Sequence, residues 1–335
     1  MATANLDRLG QIQGAGDTSA LFLKLGMTEL LDAFDRACVF KGKVKERNIS
    51  GGKSAAFQIT GKATAAYHVP GQPILGATNS PGDRNERTIN LDGLMIADQV
   101  IYDLDEAMNY VDVRQDITHQ LGQALAREWD ARVARVLYGA AKTTTEPLAK
   151  ASNSGRIGQS QTLSAGYAAA TNSAKGDELI AKIAALKIAM QKKDVPTDSL
   201  LAVVGPDEYD YLLDSTRAIN ADFNGASGSN GTFGEGRILR VKGIPVITSN
   251  HVTQAAYTNG TYDKNTDYQQ DLSKCKAIVF HRDAMGVLTL RSPGLQITPQ
   301  GGDFNIMYQA SLMVARMAIG MGKLRPECAG VIELP

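Results

Sequence analysis

The stretch Asp112–Gly139, DVRQDITHQLGQALAREWDARVARVLYG, decides the fold class. Asp112 with Gln115 is a capping-box pair, placing a helix start there. Val113, Ile117, Leu121, Ala124, Leu125, Val133, Val136 and Leu137 recur at helical spacing and form one apolar stripe. Gly139 is the kind of residue that ends helices. The pattern predicts a helix over 112–138, on the order of 40 Å long at 1.5 Å per residue. Ile117, Leu121 and Leu125 are its expected core positions, and Trp129 reads as packing. A helix that long in a mixed chain serves as a structural spine.

Upstream the period changes. Lys41, Lys43, Lys45 and Arg47 alternate with Gly42, Val44, Glu46 and Asn48, a strand pattern with one basic face. Gly51-Gly52 makes a turn, and Ser54–Thr60 reads as the partner strand. Residues 69–86 hold prolines and glycines and read as a long tip. Arg87–Ile101 returns as extended chain with a bend at Asp92-Gly93. Residues 41–101 therefore read as a protruding β-hairpin with little core of its own. Before it, Met1–Gly16 is small and polar and expected to be mobile. A helix is expected over Asp17–Leu25, and another from Thr28 to about Cys38 with Leu30, Leu31 and Phe34 on one side. Two such helices make a poor core alone, so they form an arm that packs on something else.

Downstream, Asp103–Tyr110 reads as a short helical turn. Asp177–Lys193 is a second helix, with acids at its start and lysines at its end. Leu200–Val204 is a buried strand, and Asp207–Leu213 a short helix. Ile238–Val241 and Ile244–Thr248 pair about Lys242-Gly243. Ala277–His281, Gly286–Arg291 and Leu295–Pro299 read as short strands. Asn305–Gly320 alternates over most of its length and reads as one long strand, and Ala329–Leu334 as the last. The fold class is α+β.

Composition narrows the function. Lys plus Arg equals Asp plus Glu at 35 each, so the formal charge of the 335 residues is zero. A protein that grips nucleic acid through phosphates carries a basic excess. Zero net charge also lowers the barrier to self-association. The 3 cysteines, Cys38, Cys275 and Cys328, have no CxxC spacing, so neither a zinc site nor a disulfide framework is indicated. The N-terminus lacks a signal-peptide core, and no apolar run reaches the length of a membrane span, so a soluble protein made in a cytoplasm is expected.

Chemistry-bearing motifs are weak. Gly52-Lys53-Ser54 matches the end of a phosphate-binding loop, but Arg47 stands where that loop needs its first Gly, and a strand follows instead of a helix. His68, His119, His251 and His281 form no close ligand cluster. Asp263, Asn265 and Asp267 resemble a calcium loop, but Tyr268 replaces its Gly and Lys274 its closing Glu. No catalytic residue, metal or cofactor is expected. The basic residues Lys41, Lys43, Lys45 and Arg47 read as a contact to acids of a neighbouring subunit or as a charged strand edge, in preference to a DNA contact. Lys53, Phe57 and Tyr67 are further contact candidates.

Five segments carry a family resemblance: ALFLKLGMTELLDAF (Ala20–Phe34), ISGGKSAAFQITGKATAAYHVPG (Ile49–Gly71), INLDGLMIADQVIYDLDEAMNYVDVR (Ile89–Arg114), HQLGQALA (His119–Ala126) and LRPECAG (Leu324–Gly330). In order and spacing they resemble the major capsid proteins of the T-odd podophages and their marine cyanophage relatives. The resemblance implies the Hong Kong-phage-type capsid fold: an N-terminal arm (1–40), an extended β-hairpin or E-loop (41–101), and a peripheral domain (102–175) holding the spine helix. An axial domain (176–279) and return strands of the peripheral domain (280–335) follow. It further implies hexamers and pentamers in an icosahedral shell around double-stranded DNA, a virion location, and assembly in the host bacterial cytoplasm. Scaffolding and portal proteins are implied partners, with a decoration protein as a further one. An encapsulin-type shell enclosing cargo enzymes is the alternative with the same fold.

Overall fold

The computed structural model describes residues 30–61, 65, 67–68, 70–71, 84–104, 113–148, 155–215, 240–258, 265–298 and 302–335. The expected mobile N-terminus, the helix over 17–25, most of the tip and of the 103–110 turn, and the start of the calcium-like loop lie outside them.

In chain order, helix α1 spans 30–37. Strands β1 (Lys45–Asn48), β2 (Ser54–Thr60), β3 (Arg84–Asn90) and β4 (Leu94–Tyr102) follow. Next come helix α2 (Val113–Ala141), β5 (Gln159–Thr162), α3 (Asn172–Gln191), β6 (Leu200–Val204) and α4 (Pro206–Asp214). The chain closes with β7 (Arg240–Val241), β8 (Ile244–Thr248), β9 (Cys275–His281), β10 (Met285–Ile297), α5 (Asp303–Tyr308), β11 (Ala310–Lys323) and β12 (Ala329–Glu333). A four-stranded sheet has the order β1-β10-β11-β4, and a six-stranded sheet the order β5-β12-β9-β6-β8-β7. By internal packing the chain divides into two units. The first comprises Met1–Lys41, Gly93–Asp130 and Thr289–Ile319, and the second the remainder.

In the first unit, α1 lies on the first part of α2. A Cβ on Gly122 would stand 2.9 Å from the Leu30 carbonyl oxygen, so only glycine allows this approach. Phe34 meets Trp129 edge to face with centroids 6.4 Å apart. Asp130 accepts hydrogen bonds from the backbone N–H groups of Val39 (2.7 Å) and Phe40 (3.3 Å), closing the arm onto the helix. Residues 30–40 thus pack on helix α2 of their own chain. The buried face of α1 is Leu30, Ala33 and Phe34, and Leu31 is exposed, because helical spacing puts 30, 33 and 34 together and turns 31 away. Ile117, Leu121 and Leu125 are buried. β4 pairs antiparallel with β11 from Leu94↔Ala318 to Tyr102↔Ala310.

In the second unit the six-stranded sheet forms the main core. β12 pairs parallel with β5 and antiparallel with β9, β6 antiparallel with β9, and β6 parallel with β8. β6 is buried along its whole length. Helix α3 buries Leu179, Ile180, Ile183, Leu186 and Met190 at i, i+3, i+4 spacing. Leu186 and Met190 reach Gly330 of β12, where a Cβ would come within 3.0 Å of both side chains. The later part of α2 is enclosed: Val133, Ala134, Val136 and Leu137 show no exposure.

Several expected boundaries move. Helix α2 runs through Gly139 to Ala141. Gly139 does not end the helix here, because Ala140 and Ala141 beyond it are buried and extend the packed face. Helix α3 starts at Asn172, so Asp177 and Glu178 are not in its first turn. The segments read as two strands, 286–291 and 295–299, are joined in one strand, β10, which runs from Met285 to Ile297. Asn305–Tyr308, read as strand, is helical, and the strand begins only at Ala310.

Candidate assembly surfaces

The hairpin differs from its expected pairing. β2 pairs with β3, from Ser54↔Asn90 to Thr60↔Arg84, and not with the basic strand. β1 instead borders β10. Strand geometry begins only at Lys45; Lys41–Val44 is a turn in which Gly42 takes φ 74°. The alternating lysines therefore do not form one strand face.

Their surroundings confirm this. Lys41 pairs with Asp35 and lies over the Phe34 ring at 5.2 Å. Lys43 is half-buried, and Lys45 faces Asp283 at 3.7 Å. Arg47 donates to the Ala56 carbonyl (2.9 Å) and lies 5.9 Å from the centroid of Phe57. Lys53 is exposed, and its backbone carbonyl accepts from the Leu91 N–H at 2.8 Å. Tyr67 is fully exposed. Of the contact candidates, the fold brings only Arg47 and Phe57 together.

Phe57 is a correction. Its ring is buried with Ile89, Leu288 and Leu324, so it serves the subunit's own core and is not free for a neighbour. The base of the hairpin is thus more than a free arm. Gly286 and Gly322 leave room for Ile89, whose side chain would stand 3.0 Å from a Cβ at either position. Gly320 is tighter still: a Cβ there would stand 2.1 Å from the Asn90 carbonyl oxygen.

Two of the recognised sequence strings meet at this anchor. Arg325 of LRPECAG donates to the Thr60 carbonyl at 3.0 Å, at the far end of the β2–β3 ladder. Leu324 supplies apolar packing, and Glu327 ion-pairs with Arg156 at 3.5 Å. Burial raises the Glu327 carboxyl above its ordinary range, although Arg325, Arg156 and Lys193 oppose the rise. Burial also pushes the Cys328 thiol up to about 12 and raises that of Cys275. Such thiols stay protonated and unreactive. At the other end, Arg282 donates to the Val44 carbonyl (3.4 Å), and the buried Tyr268 hydroxyl donates to Asp92 (2.6 Å). The sequence reading missed Arg282, Arg325 and Tyr268 as fasteners, because their partners lie hundreds of residues upstream and leave no local pattern.

No phosphate loop forms. Gly52 has φ 102°, and Ser54 opens a strand where such a loop needs a helix N-terminus. Among the described residues no group of three or more His, Cys, Asp or Glu side chains is placed to hold a metal, and no helix is long and apolar enough to cross a membrane.

Comparison with known proteins agrees with this architecture. Residues 56–333 match the family model described as "Gp10A-like: Major capsid protein". The major capsid protein of Escherichia phage T7 is 30% identical over 335 residues, covering 96% of this chain and 94% of that protein. That of Enterobacteria phage T3 is 30% identical over 339 residues, covering 97% and 95%. The capsid structure of the cyanophage P-SCSP1u superposes with a TM-score of 0.76 at 31% identity, covering 89% of this chain and 88% of that one. A virus-like particle from Pyrococcus furiosus, at 15% identity and a TM-score of 0.53, shares the fold alone. The full-length sequence matches lie with phage heads, and the encapsulin-type alternative is not favoured. The chain belongs to the Gp10A-like major capsid protein family: it is a subunit of the multi-subunit shell of a phage head and a component of the virion.

Proposed function

We propose that this subunit assembles as hexamers and pentamers into an icosahedral head around double-stranded DNA, with residues 41–101 acting as an E-loop that overlaps the next subunit. In this reading 1–40 is the arm, 102–175 and 280–335 form the peripheral domain, and 176–279 the axial domain. The observation that carries it is the β2–β3 ladder. It spans roughly 20 Å at 3.3 Å per residue and is fixed along its length, by Phe57, Ile89 and Leu324 and, at Thr60, by Arg325. A two-stranded hairpin is marginal alone, and this one is held by its own subunit, so the overlap with a neighbour is assigned to the segment 61–83 that joins its strands. Exposed Lys53 and Tyr67 are its contact residues, with Lys45 and Arg47 as charged contacts near its base. Many such contacts, each weak, close a strong shell by multivalency.

The partners follow from that role. A scaffolding protein sets curvature, a portal occupies one vertex, assembly takes place in the host bacterial cytoplasm, and a decoration protein is a further partner. A charge-balanced wall holds DNA without the counterion release that would make binding tight. The test is replacement of residues 62–83 by a short Gly/Ser turn. This keeps the β2–β3 ladder and its buried side chains, whereas deleting 51–91 would remove Phe57 and Ile89 from the core. The shortened subunit should stay soluble and folded but yield no closed shells on co-expression with its scaffolding protein. Shells at normal yield would reject the E-loop role.

A further inference from the structure

Strand β4 is apolar on both faces. Met95, Ala97 and Ile101 alternate with Leu94, Ile96, Val100 and Tyr102. A strand apolar on both faces is usually covered on both. Here one face is largely covered within the subunit, with Ile101 buried, Met95 and Ala97 half-buried and Gln99 exposed. The other is bare: Leu94, Ile96, Val100 and Tyr102 are 46%, 52%, 39% and 56% exposed. Among the described residues β4 is also an edge strand of its sheet, with a strand partner on one side only.

The bare face continues in both directions. Across the β4–β11 ladder, Leu312 stands opposite Val100, Val314 opposite Asp98 and Arg316 opposite Ile96. Those three side chains line a groove of about 930 Å³ whose other wall is Arg291–Thr298. At the end of β4, Asn305 donates to Asp103 (3.0 Å) and the Asp103 N–H donates to the Gln309 carbonyl (3.0 Å), tying α5 to the strand. The exposed Ile306, Met307 and Tyr308 of α5 extend the patch. Most of the large hydrophobic side chains exposed among the described residues lie on this one surface. Together they form an exposed apolar surface of the kind that marks a protein interaction site. Isolated soluble subunits seldom leave so large a patch uncovered.

We propose that this face, β4 with the adjoining groove and α5, is a second copy-to-copy interface whose occupant is another subunit of the same chain. The proposal rests on the shell reading and adds a surface separate from the hairpin tip. The charges suit a copy: the face carries one acid, Asp98, and two bases, Arg316 on the neighbouring strand and Arg291 on the far wall of the groove. A face that meets itself must be self-complementary, and a two-fold pairing sets Asp98 of one copy toward Arg316 of the other.

The test uses the full chain co-expressed with its scaffolding protein. The substitutions Ile96→Asp and Val100→Asp fall on exposed side chains, so the double variant should remain soluble with an unchanged melting temperature. Its yield of closed shells should fall about tenfold or more, because carboxylates would be buried without partners. In parallel, the thiol of an Ile96→Cys variant should react with maleimide in free subunits and be protected in scaffold-free shells. Wild-type shell yield from the double variant, or full reactivity of the introduced thiol in shells, would overturn the proposal. Protection that vanishes when scaffold leaves would overturn it too, by giving the face to the scaffold. If the wild type itself forms no shells, the shell reading fails. The thiol then decides the face in whatever oligomer forms: protection supports a copy interface, and reactivity equal to that of the monomer removes it.

Discussion

Asp130 is 1% exposed, and its carboxylate accepts from two backbone N–H groups of the segment that follows α1. Asp130→Ala would strip both donors of that acceptor in a buried setting, and should lower subunit stability by about 1–3 kcal/mol in denaturant unfolding. Asp130→Asn keeps one acceptor and should cost less. This role was not legible in the sequence, where an acid on a long helix reads as a solvated residue; its partners lie about ninety positions upstream. His281 offers a test in pH. Burial lowers its pKa, outweighing the nearby Asp283 carboxylate, and its Nδ1 accepts from the Asp283 N–H at 3.2 Å. The folded state therefore favours neutral imidazole. Its contribution is present above the unfolded pKa of about 6.5 and is lost as pH falls through the lower folded value. Thermal melts across pH 7 to 5 should show falling stability, with a shallower slope in His281→Gln. An identical slope would remove His281 from the account.

At the scale of elements, the long helix was readable because its stripe repeats over many turns. Leu125, 2% exposed, lies on that stripe. Leu125→Ala should destabilise the subunit by about 2–5 kcal/mol and reduce soluble yield before assembly. Unchanged melting of that variant would show that the stripe is not core. Strands were harder to read, for identifiable reasons. Ser292-Pro293-Gly294 looks like punctuation, yet β10 passes through it. Proline keeps an extended φ and lacks only the N–H, which is tolerable on an open edge. β1, with four residues, cannot pair along all thirteen of β10. Ile306 and Tyr308 alternate like a strand but belong to α5. Asn305 bonds to Asp103 (3.0 Å) and to the Ala310 carbonyl (3.2 Å), and Gln309 turns left-handed to end the helix. The partner of β1 was misassigned because a Gly-Gly turn implies a hairpin only when both arms share a sheet.

At the scale of the whole molecule, the ordered strings of sequence pointed to a shell subunit more strongly than any motif did, and the family matches agree. The surfaces were less legible. A basic alternation suggested one contact face, but intramolecular pairing to Asp35 and Asp283 engages two of its lysines. The apolar face of β4 was hidden because the sequence reading placed 87–101 in a protruding hairpin and did not separate the two faces of this strand. The most direct measurement is electron cryo-microscopy of the material formed when the full chain is co-expressed with its scaffolding protein. The account predicts closed icosahedral shells built of hexamers and pentamers, with the segment 61–83 lying over an adjacent subunit. A solution of monomers or small discrete oligomers with scaffold present would contradict it.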